Sequence, residues 1–133
     1  MKPLLRLAAL ALALGLAACT RSGEDRQQLL EAAARRVETG TAVLIDVREP
    51  GECAATGMAR PAVNLPLSDL RSDRRLWKPF LESNSSKELV LYCRSGFRSG
   101  QAAKMLAEEG YTATNAGSFS AWQRAGLPTR TAP

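Results

Sequence analysis

Residues 89–99 read Leu-Val-Leu-Tyr-Cys-Arg-Ser-Gly-Phe-Arg-Ser, placing a cysteine between an apolar run and a polar loop. The run Leu89–Tyr92 is continuous rather than alternating, as expected for a strand buried on both faces of a parallel sheet. From residue 99 to residue 109 the apolar positions recur at helical spacing, and Gly110 follows as a stop signal. The segment therefore predicts a strand, a tight loop that begins at Cys93, and a helix.

The rest of the chain extends this strand–helix pattern. A second continuous apolar run, Ala42–Ile45, ends at Asp46. The spacing of apolar residues and the positions of glycine and proline also predict helices over 26–38 and 120–124, a weaker strand over 111–116 and a loop over 51–66. Residues 67–81 are predicted to be an amphipathic stretch whose inward-facing side chains are Leu70, Trp77, Phe80 and Leu81. The alternation predicts an α/β fold with a mainly parallel central sheet flanked by helices. Because ligands of such sheets gather at the carboxyl ends of the strands, Asp46 and Cys93 are expected at one site.

Composition excludes several classes of function. A length of 133 residues suits one ordinary domain. The formal net charge of +5 is modest, and no run of Lys and Arg supports binding to nucleic acid. The chain contains no histidine, so a histidine general base, a cysteine–histidine pair and a histidine zinc site are all excluded, and no metal site is expected.

The first 18 residues resemble a secretion signal. Lys2 and Arg6 precede the apolar run Leu7–Ala18, which is too short to span a bilayer. Leu16–Cys19 is similar to the lipobox of bacterial lipoproteins, which implies removal of residues 1–18 and a lipid on Cys19. Residues 19–25 would then be a membrane tether and residues 26–133 the domain. Thr20 resembles the pattern that sorts to the outer membrane, so a lipid-anchored protein on the periplasmic side is expected; the alternative is simple cleavage after Ala18 and a soluble periplasmic protein.

Cys93 has the surroundings of a reactive thiol. A loop of backbone N–H groups and the start of a helix both stabilise an anion, which lowers the pKa of a cysteine at that position. Arg94 and Arg98 add positive charge in a form that suits oxyanions. A nucleophilic thiolate in such a cradle predicts group transfer from an anionic donor. The alternative is that Cys93 is a small buried residue at the end of a strand.

The motifs together resemble the rhodanese family over about residues 27–128. Cys93–Ser99 is similar to the active-site loop of that family. The other matching segments are Leu44–Pro50, Val63–Leu67, Ala121-Trp122 and Gly126–Pro128. The resemblance implies a rhodanese-like fold and a sulfurtransferase that needs no metal or organic cofactor.

The family's activity carries over by position. Cys93 would attack the sulfane sulfur of a small anionic donor such as thiosulfate and become a persulfide. Arg94, Ser95, Gly96, Phe97, Arg98 and Ser99 would bind the substrate, through loop amides that hold the persulfide charge and through the two arginines that orient the sulfonate. A thiol or cyanide would accept the sulfur, and a protein partner stays unidentified. Asp46 and Arg48 are expected to support the loop structurally, with Arg48 either paired to Asp46, Glu49 or Glu52 or held in a solvated salt bridge.

Three positions depart from the family pattern, and one further cysteine is left over. Met58 stands where histidine is common, Pro61 where glycine is common, and Ser118 replaces the second residue of a usual Gly-Gly pair. Cys53 is expected to be buried and inert. The alternative is a resolving thiol that forms a disulfide with Cys93, which requires Cα atoms within about 7 Å.

Two other functions compete with sulfur transfer. Phosphatases also use a cysteine–arginine loop, but five residues separate the two in that pattern whereas four separate Cys93 from Arg98. The tighter loop suits one sulfur atom, so no useful phosphatase activity is expected. The second alternative is a non-enzymatic rhodanese-like module that carries sulfur or binds a protein, in which an apolar patch around Phe97 would be the contact.

Overall fold

The computed structural model describes residues 21–133. The chain runs through helix α1 (residues 21–38), strand β1 (Ala42–Asp46), α2 (Pro50–Thr56), β2 (Met58–Ala59), β3 (Val63–Asn64), α3 (Leu67–Leu70), α4 (Trp77–Ser83), β4 (Glu88–Cys93), α5 (Phe97–Glu108), β5 (Ala113–Ser118), α6 (Phe119–Arg124) and β6 (Thr129–Arg130). None of the helices in this described part is long and apolar enough to cross a membrane.

The central sheet is parallel and has the order β3-β1-β4-β5. Strands β1 and β4 occupy the middle, which is why their apolar runs are continuous: each is covered on both faces. A separate antiparallel pair, β2 with β6, closes the end of the domain. The predicted α/β class with a parallel sheet flanked by helices is confirmed.

Two hydrophobic cores lie on opposite faces of the sheet. In β4, the side chains of Leu89, Leu91 and Cys93 join the core beneath α3, α4 and α5, while Val90 and Tyr92 join the core beneath α1 and α6. The alternation follows from the two-residue period of a strand. It places Cys93 at the end of β4 on the α5 side.

Element boundaries differ from the sequence prediction at several points. The predicted loop over 51–66 contains α2 and two short strands, because Glu49 and Glu52 form a reciprocal capping box that starts a helix there. The amphipathic stretch over 67–81 divides into α3 and α4, with Leu70, Trp77 and Leu81 buried and Phe80 partly buried. Helix α5 begins two residues earlier than predicted, and β5 is shifted toward Ser118.

The first helix also begins earlier than the predicted residue 26. Residues 21–25 are helical, although that part of the chain is expected to be an irregular tether. Side chains 21–29 are all exposed, and residues 21–28 include no large apolar side chain, so no apolar periodicity marks the start of this helix in the sequence. The predicted signal sequence and the predicted lipidation residue Cys19 lie outside the described residues.

Candidate active site

The loop that follows β4 makes a very tight turn. Strand β4 ends at Cys93 and α5 begins at Phe97, so only three residues connect them. Gly96 occupies the left-handed region, with φ of 93°. A Cβ at this position would lie 3.2 Å from the Cα of Gly117 in β5, which is tighter than ordinary packing allows. Glycine is therefore required both for the turn and for the close approach to β5.

The Cys93 sulfur is surrounded by hydrogen-bond donors. The amide of Gly96 lies 3.0 Å from Sγ, and Ser99 contributes its amide at 3.5 Å and its hydroxyl at 3.4 Å. Both Cys93 and Ser99 are fully buried. The N-terminus of α5 adds its partial positive charge on the same side. The loop is thus shaped to hold one negatively charged sulfur atom.

Two opposing effects set the acidity of this thiol. Burial raises the pKa of Cys93, but the hydroxyl and amide of Ser99 and the amides of Ser95 and Gly96 donate hydrogen bonds that lower it. The donors outweigh burial, and the pKa lies below the ordinary value for cysteine. The sulfur is therefore more ionised than a free cysteine would be at neutral pH.

Asn115 of β5 holds the loop against the sheet. Its side-chain amide donates to the carbonyl of Gly96 at 3.0 Å. Its Oδ1 accepts from the amide of Gly117 at 3.0 Å and lies 2.8 Å from the hydroxyl of Ser99, whose single hydrogen is shared between this oxygen and the Cys93 sulfur. One side chain therefore fixes both ends of the sulfur cradle.

The two loop arginines have different environments. Arg94 is exposed and lines an open groove of about 510 Å³ together with Phe119 and Gln123, and no described carboxylate lies within ion-pair distance of it. Arg98 is held in a fork by Glu52, with Nη1 and Nη2 at 2.6 and 2.7 Å from its two carboxylate oxygens. This contact raises the pKa of Arg98 and lowers the pKa of Glu52 to about 2.

Asp46 and Arg48 form a buried ion pair beside the site. Arg48 donates to both oxygens of Asp46 at 2.7 to 3.1 Å, and its remaining N–H groups reach the hydroxyl of Thr56 and the carbonyl of Gly57. Its guanidinium also lies 4.7 Å from the ring centre of Phe119. Arg48 is only 2% exposed, so the expected alternative of a solvated salt bridge is wrong. None of these hydrogen bonds reaches the Cys93 sulfur, in keeping with a structural role for the pair.

Cys53 packs on the opposite face of the sheet from Cys93. It belongs to the core beneath α1 and α6, and both cysteines are free. Burial and the neighbouring charge of Asp46 raise the pKa of Cys53 to about 11. This placement agrees with an inert, buried residue and gives no support to a resolving thiol.

Two of the three departures from the family pattern, Met58 and Ser118, are accommodated locally. Met58 is buried in the core that Cys53 shares. Ser118 is the N-cap of α6, where its hydroxyl accepts from the amide of Ala121 at 3.1 Å. A serine is therefore well suited to this position, since N-cap hydroxyls satisfy the free amides of a helix start.

Two residues that position the site are missing from the sequence prediction. Asn115 lies within β5, where Thr114 before it is also polar, so no pattern in the sequence distinguishes it. Glu52 was named only as a partner for Arg48, whereas its carboxylate binds Arg98, 46 residues away along the chain. The capping-box spacing from Glu49 marks the start of α2 but says nothing about that partner.

The structure is thus an α/β domain in which backbone and side-chain donors surround a buried cysteine at the end of a central strand. Proteins similar to this chain belong to the same class. The family model "Rhodanese-like domain" matches residues 29–125. A sulfurtransferase of Allochromatium vinosum is 37% identical over 98 residues, covering 71% of this chain and 83% of that protein. A thiosulfate:glutathione sulfurtransferase of Saccharomyces cerevisiae is 34% identical, covering 60% of this chain and 63% of that protein. A human single-domain sulfurtransferase structure superposes with a TM-score of 0.54 at 33% identity, covering 68% of this chain and 88% of that one.

The chain belongs to the rhodanese-like domain family, and its relatives include sulfurtransferases. It spans less than two thirds of the yeast protein, so the substrates of that protein are not thereby substrates of this one.

Proposed function

We propose that this protein transfers a sulfane sulfur from thiosulfate or a similar anionic donor to a thiol or cyanide through a persulfide on Cys93. The observation that carries the proposal is the Cys93 sulfur itself, with the Gly96 amide 3.0 Å away and the amide and hydroxyl of Ser99 also directed at it. These donors stabilise a thiolate before reaction and a persulfide anion after it.

The reaction has two balanced steps. The Cys93 thiolate attacks the outer sulfur of thiosulfate, a new S–S bond forms, and sulfite leaves with the electron pair of the broken S–S bond. Cyanide then attacks the outer sulfur of the persulfide, forming thiocyanate and returning the thiolate. Because Cys93 is fully buried, the loop must open toward the donor for the first step. The exposed guanidinium of Arg94 supplies the positive charge that attracts the anion.

The test is the intact mass of the reduced residues 20–133 after treatment with thiosulfate. One added sulfur atom on the wild type, lost on adding cyanide and absent from Cys93→Ala, is the expected result. Cys53→Ala is the matched control and should gain the sulfur like the wild type, because Cys53 is buried on the other face of the sheet. No added sulfur on a thiol shown to be free would contradict thiosulfate as donor.

A second candidate is the non-enzymatic sulfur carrier or protein-binding module. The observation in its favour is Phe97, which is 71% exposed at the first position of α5 beside the loop. Catalytic turnover distinguishes the two candidates: an enzyme converts many equivalents of thiosulfate and cyanide into thiocyanate, whereas a carrier module shows no such multiple turnover. In a carrier, Phe97→Ala should impair only the delivery of sulfur to a protein.

We also propose that the protein is a lipoprotein of the periplasmic side of the cell envelope, anchored through Cys19 and sorted to the outer membrane. The proposal rests on the apolar run Leu7–Ala18 and the lipobox-like Leu16–Cys19. Expression of the full chain in a Gram-negative host should place it in the membrane fraction with incorporated palmitate, and Cys19→Ser should abolish both. Processed, soluble wild-type protein without a lipid would favour the simple secretion signal.

A further inference from the structure

The bidentate contact between Glu52 and Arg98 joins α2 to the start of α5 at the edge of the sulfur cradle. Both side chains are about one-third exposed, so the pair sits where the site meets solvent. Glu52 is doubly anchored, because its Oε2 also accepts from the amide of Glu49 at 2.9 Å within the capping box. The position of its carboxylate is thus set by α2 and not by Arg98 alone.

The contact occupies the guanidinium of Arg98. Its two terminal nitrogens each donate one hydrogen bond to Glu52, which leaves the Nε–H and one N–H on each terminal nitrogen for other partners. An anionic donor that approaches the loop therefore meets a neutralised pair at Arg98 and, at Arg94, an exposed cation with no ion-pair partner among residues 21–133. The two arginines of the loop are alike in sequence but unequal in the charge they offer.

Arg98 lies on the first turn of α5, five residues after Cys93, and its charge interacts with the thiol. The charged and titratable groups that face Arg98 are Glu52 and Glu49 from the α2 side and Cys93 at the end of β4. The charge of Arg48 also interacts with Glu52. A full positive charge on Arg98 would favour the Cys93 thiolate, and the carboxylate of Glu52 offsets it.

We propose that Glu52 is a positioning residue of this site: by holding and neutralising Arg98 it leaves Arg94 to receive the anionic sulfur donor and limits the acidity of Cys93. The effect of Glu52 on donor binding rests on the proposed sulfur transfer. Its effect on the acidity of Cys93 does not depend on that reaction.

The test is a set of three variants of the full chain. Glu52→Gln keeps the capping-box acceptor while removing the charge. Arg98→Gln removes the opposing charge, and the double variant restores charge balance. Glu109→Gln is the matched control, because it breaks a similar bidentate pair with Arg74 at 2.7 and 2.9 Å and comparable exposure on another part of the surface.

The first readout is the pH dependence of iodoacetamide alkylation, followed on the Cys93 peptide so that Cys19 and Cys53 do not contribute. Glu52→Gln should lower the pKa of Cys93 by roughly half a unit, Arg98→Gln should raise it by a similar amount, and the double variant should lie near the wild type. Glu109→Gln should leave it unchanged. A pKa that is the same in all variants would overturn the proposal and would mean that the pair serves folding alone.

The second readout is the KM for thiosulfate in the wild type and Glu52→Gln. Release of Arg98 should lower the KM roughly threefold, with a smaller change in kcat, because a second cation becomes available to the donor. An unchanged or raised KM would contradict the role of Glu52 in donor binding. If the wild type forms no persulfide, the proposed sulfur transfer fails, whereas the alkylation result still decides the role of Glu52.

Discussion

At the scale of single residues, Cys93 shows how a fully buried thiol remains acidic. Burial disfavours the thiolate, so each donor within reach of the sulfur must offset part of that penalty. The Gly96 amide makes the shortest contact, but only proline would remove a backbone N–H, and the φ of 93° at Gly96 excludes proline. The hydroxyl of Ser99 is the one side-chain donor among these contacts. A substitution at Ser99 therefore tests how far hydrogen bonding offsets the effect of burial on the pKa of Cys93.

Ser99→Ala should raise the pKa of Cys93 by roughly one unit, since a hydrogen bond to a charged group contributes about 1.5 kcal/mol or more. The alkylation rate of Cys93 measured against pH reports the change. Ser95→Ala is the control, because Ser95 acts on the sulfur through its backbone amide, which the substitution retains. Equal shifts in the two variants would show that the hydroxyl of Ser99 has no particular effect.

A second residue-scale prediction concerns the buried charge of Asp46. Arg48→Met removes its ion-pair partner and leaves an uncompensated carboxylate in the core, which should reduce the free energy of unfolding by about 3–5 kcal/mol. Arg36→Met breaks the Arg36–Glu88 pair, in which the arginine is 42% exposed, and should cost under about 1 kcal/mol. Urea denaturation measures both. Similar losses would be inconsistent with the buried geometry of the Arg48 pair.

At the scale of elements, the site depends on how closely the loop before α5 approaches β5. Gly96 and Gly117 meet at a separation that no side chain could fill, and Asn115 ties the two segments together. The loop amides can point at Cys93 only while this contact holds. The β4–α5 turn and β5 therefore act as one unit in forming the cradle.

Gly96→Ala should destabilise the domain more than Gly110→Ala does. The two glycines have nearly equal positive φ values of 93° and 94°, so both substitutions carry the left-handed penalty of roughly 1–2 kcal/mol. Only at Gly96 does the added methyl also press on Gly117, whereas Gly110 has open space around it. The free energy of unfolding from urea denaturation measures the difference, and Cys93 alkylation at neutral pH should slow in Gly96→Ala alone. Equal stability and unchanged alkylation would exclude the close approach.

For the whole molecule, the sequence is informative wherever burial leaves a pattern along the chain. The continuous runs of β1 and β4 predict the parallel sheet because central strands are covered on both faces. The cysteine at the end of β4 follows from the same pattern. Contacts between distant segments leave no pattern along the chain. The sequence does not distinguish Glu52 from the other carboxylates as a partner for Arg98, and only the fold brings the two together. Short strands such as β2 and β6 cannot be predicted from the sequence, because two residues are too few to show a periodicity.

The stability of the whole domain should fall in acid because three of its described glutamates are bound by arginines. Hydrogen bonds from Arg98, Arg36 and Arg74 lower the pKa values of Glu52, Glu88 and Glu109 respectively, that of Glu52 from 4.5 to about 2. A carboxyl whose folded pKa is depressed contributes its full stability above the unfolded pKa and loses it as the pH falls toward the folded value. The free energy of unfolding should therefore decline from about pH 4.5 toward pH 2.

Urea denaturation at a series of pH values tests this with a matched pair of variants. Glu52→Gln should be less stable than the wild type at pH 7 and should show a shallower decline in acid, because one of the contributing carboxyls is gone. Glu108→Gln, at an exposed glutamate that makes no ion pair within the described part of the chain, should follow the wild-type curve. A Glu52→Gln curve parallel to that of the wild type would show that the contact with Arg98 does not persist in solution.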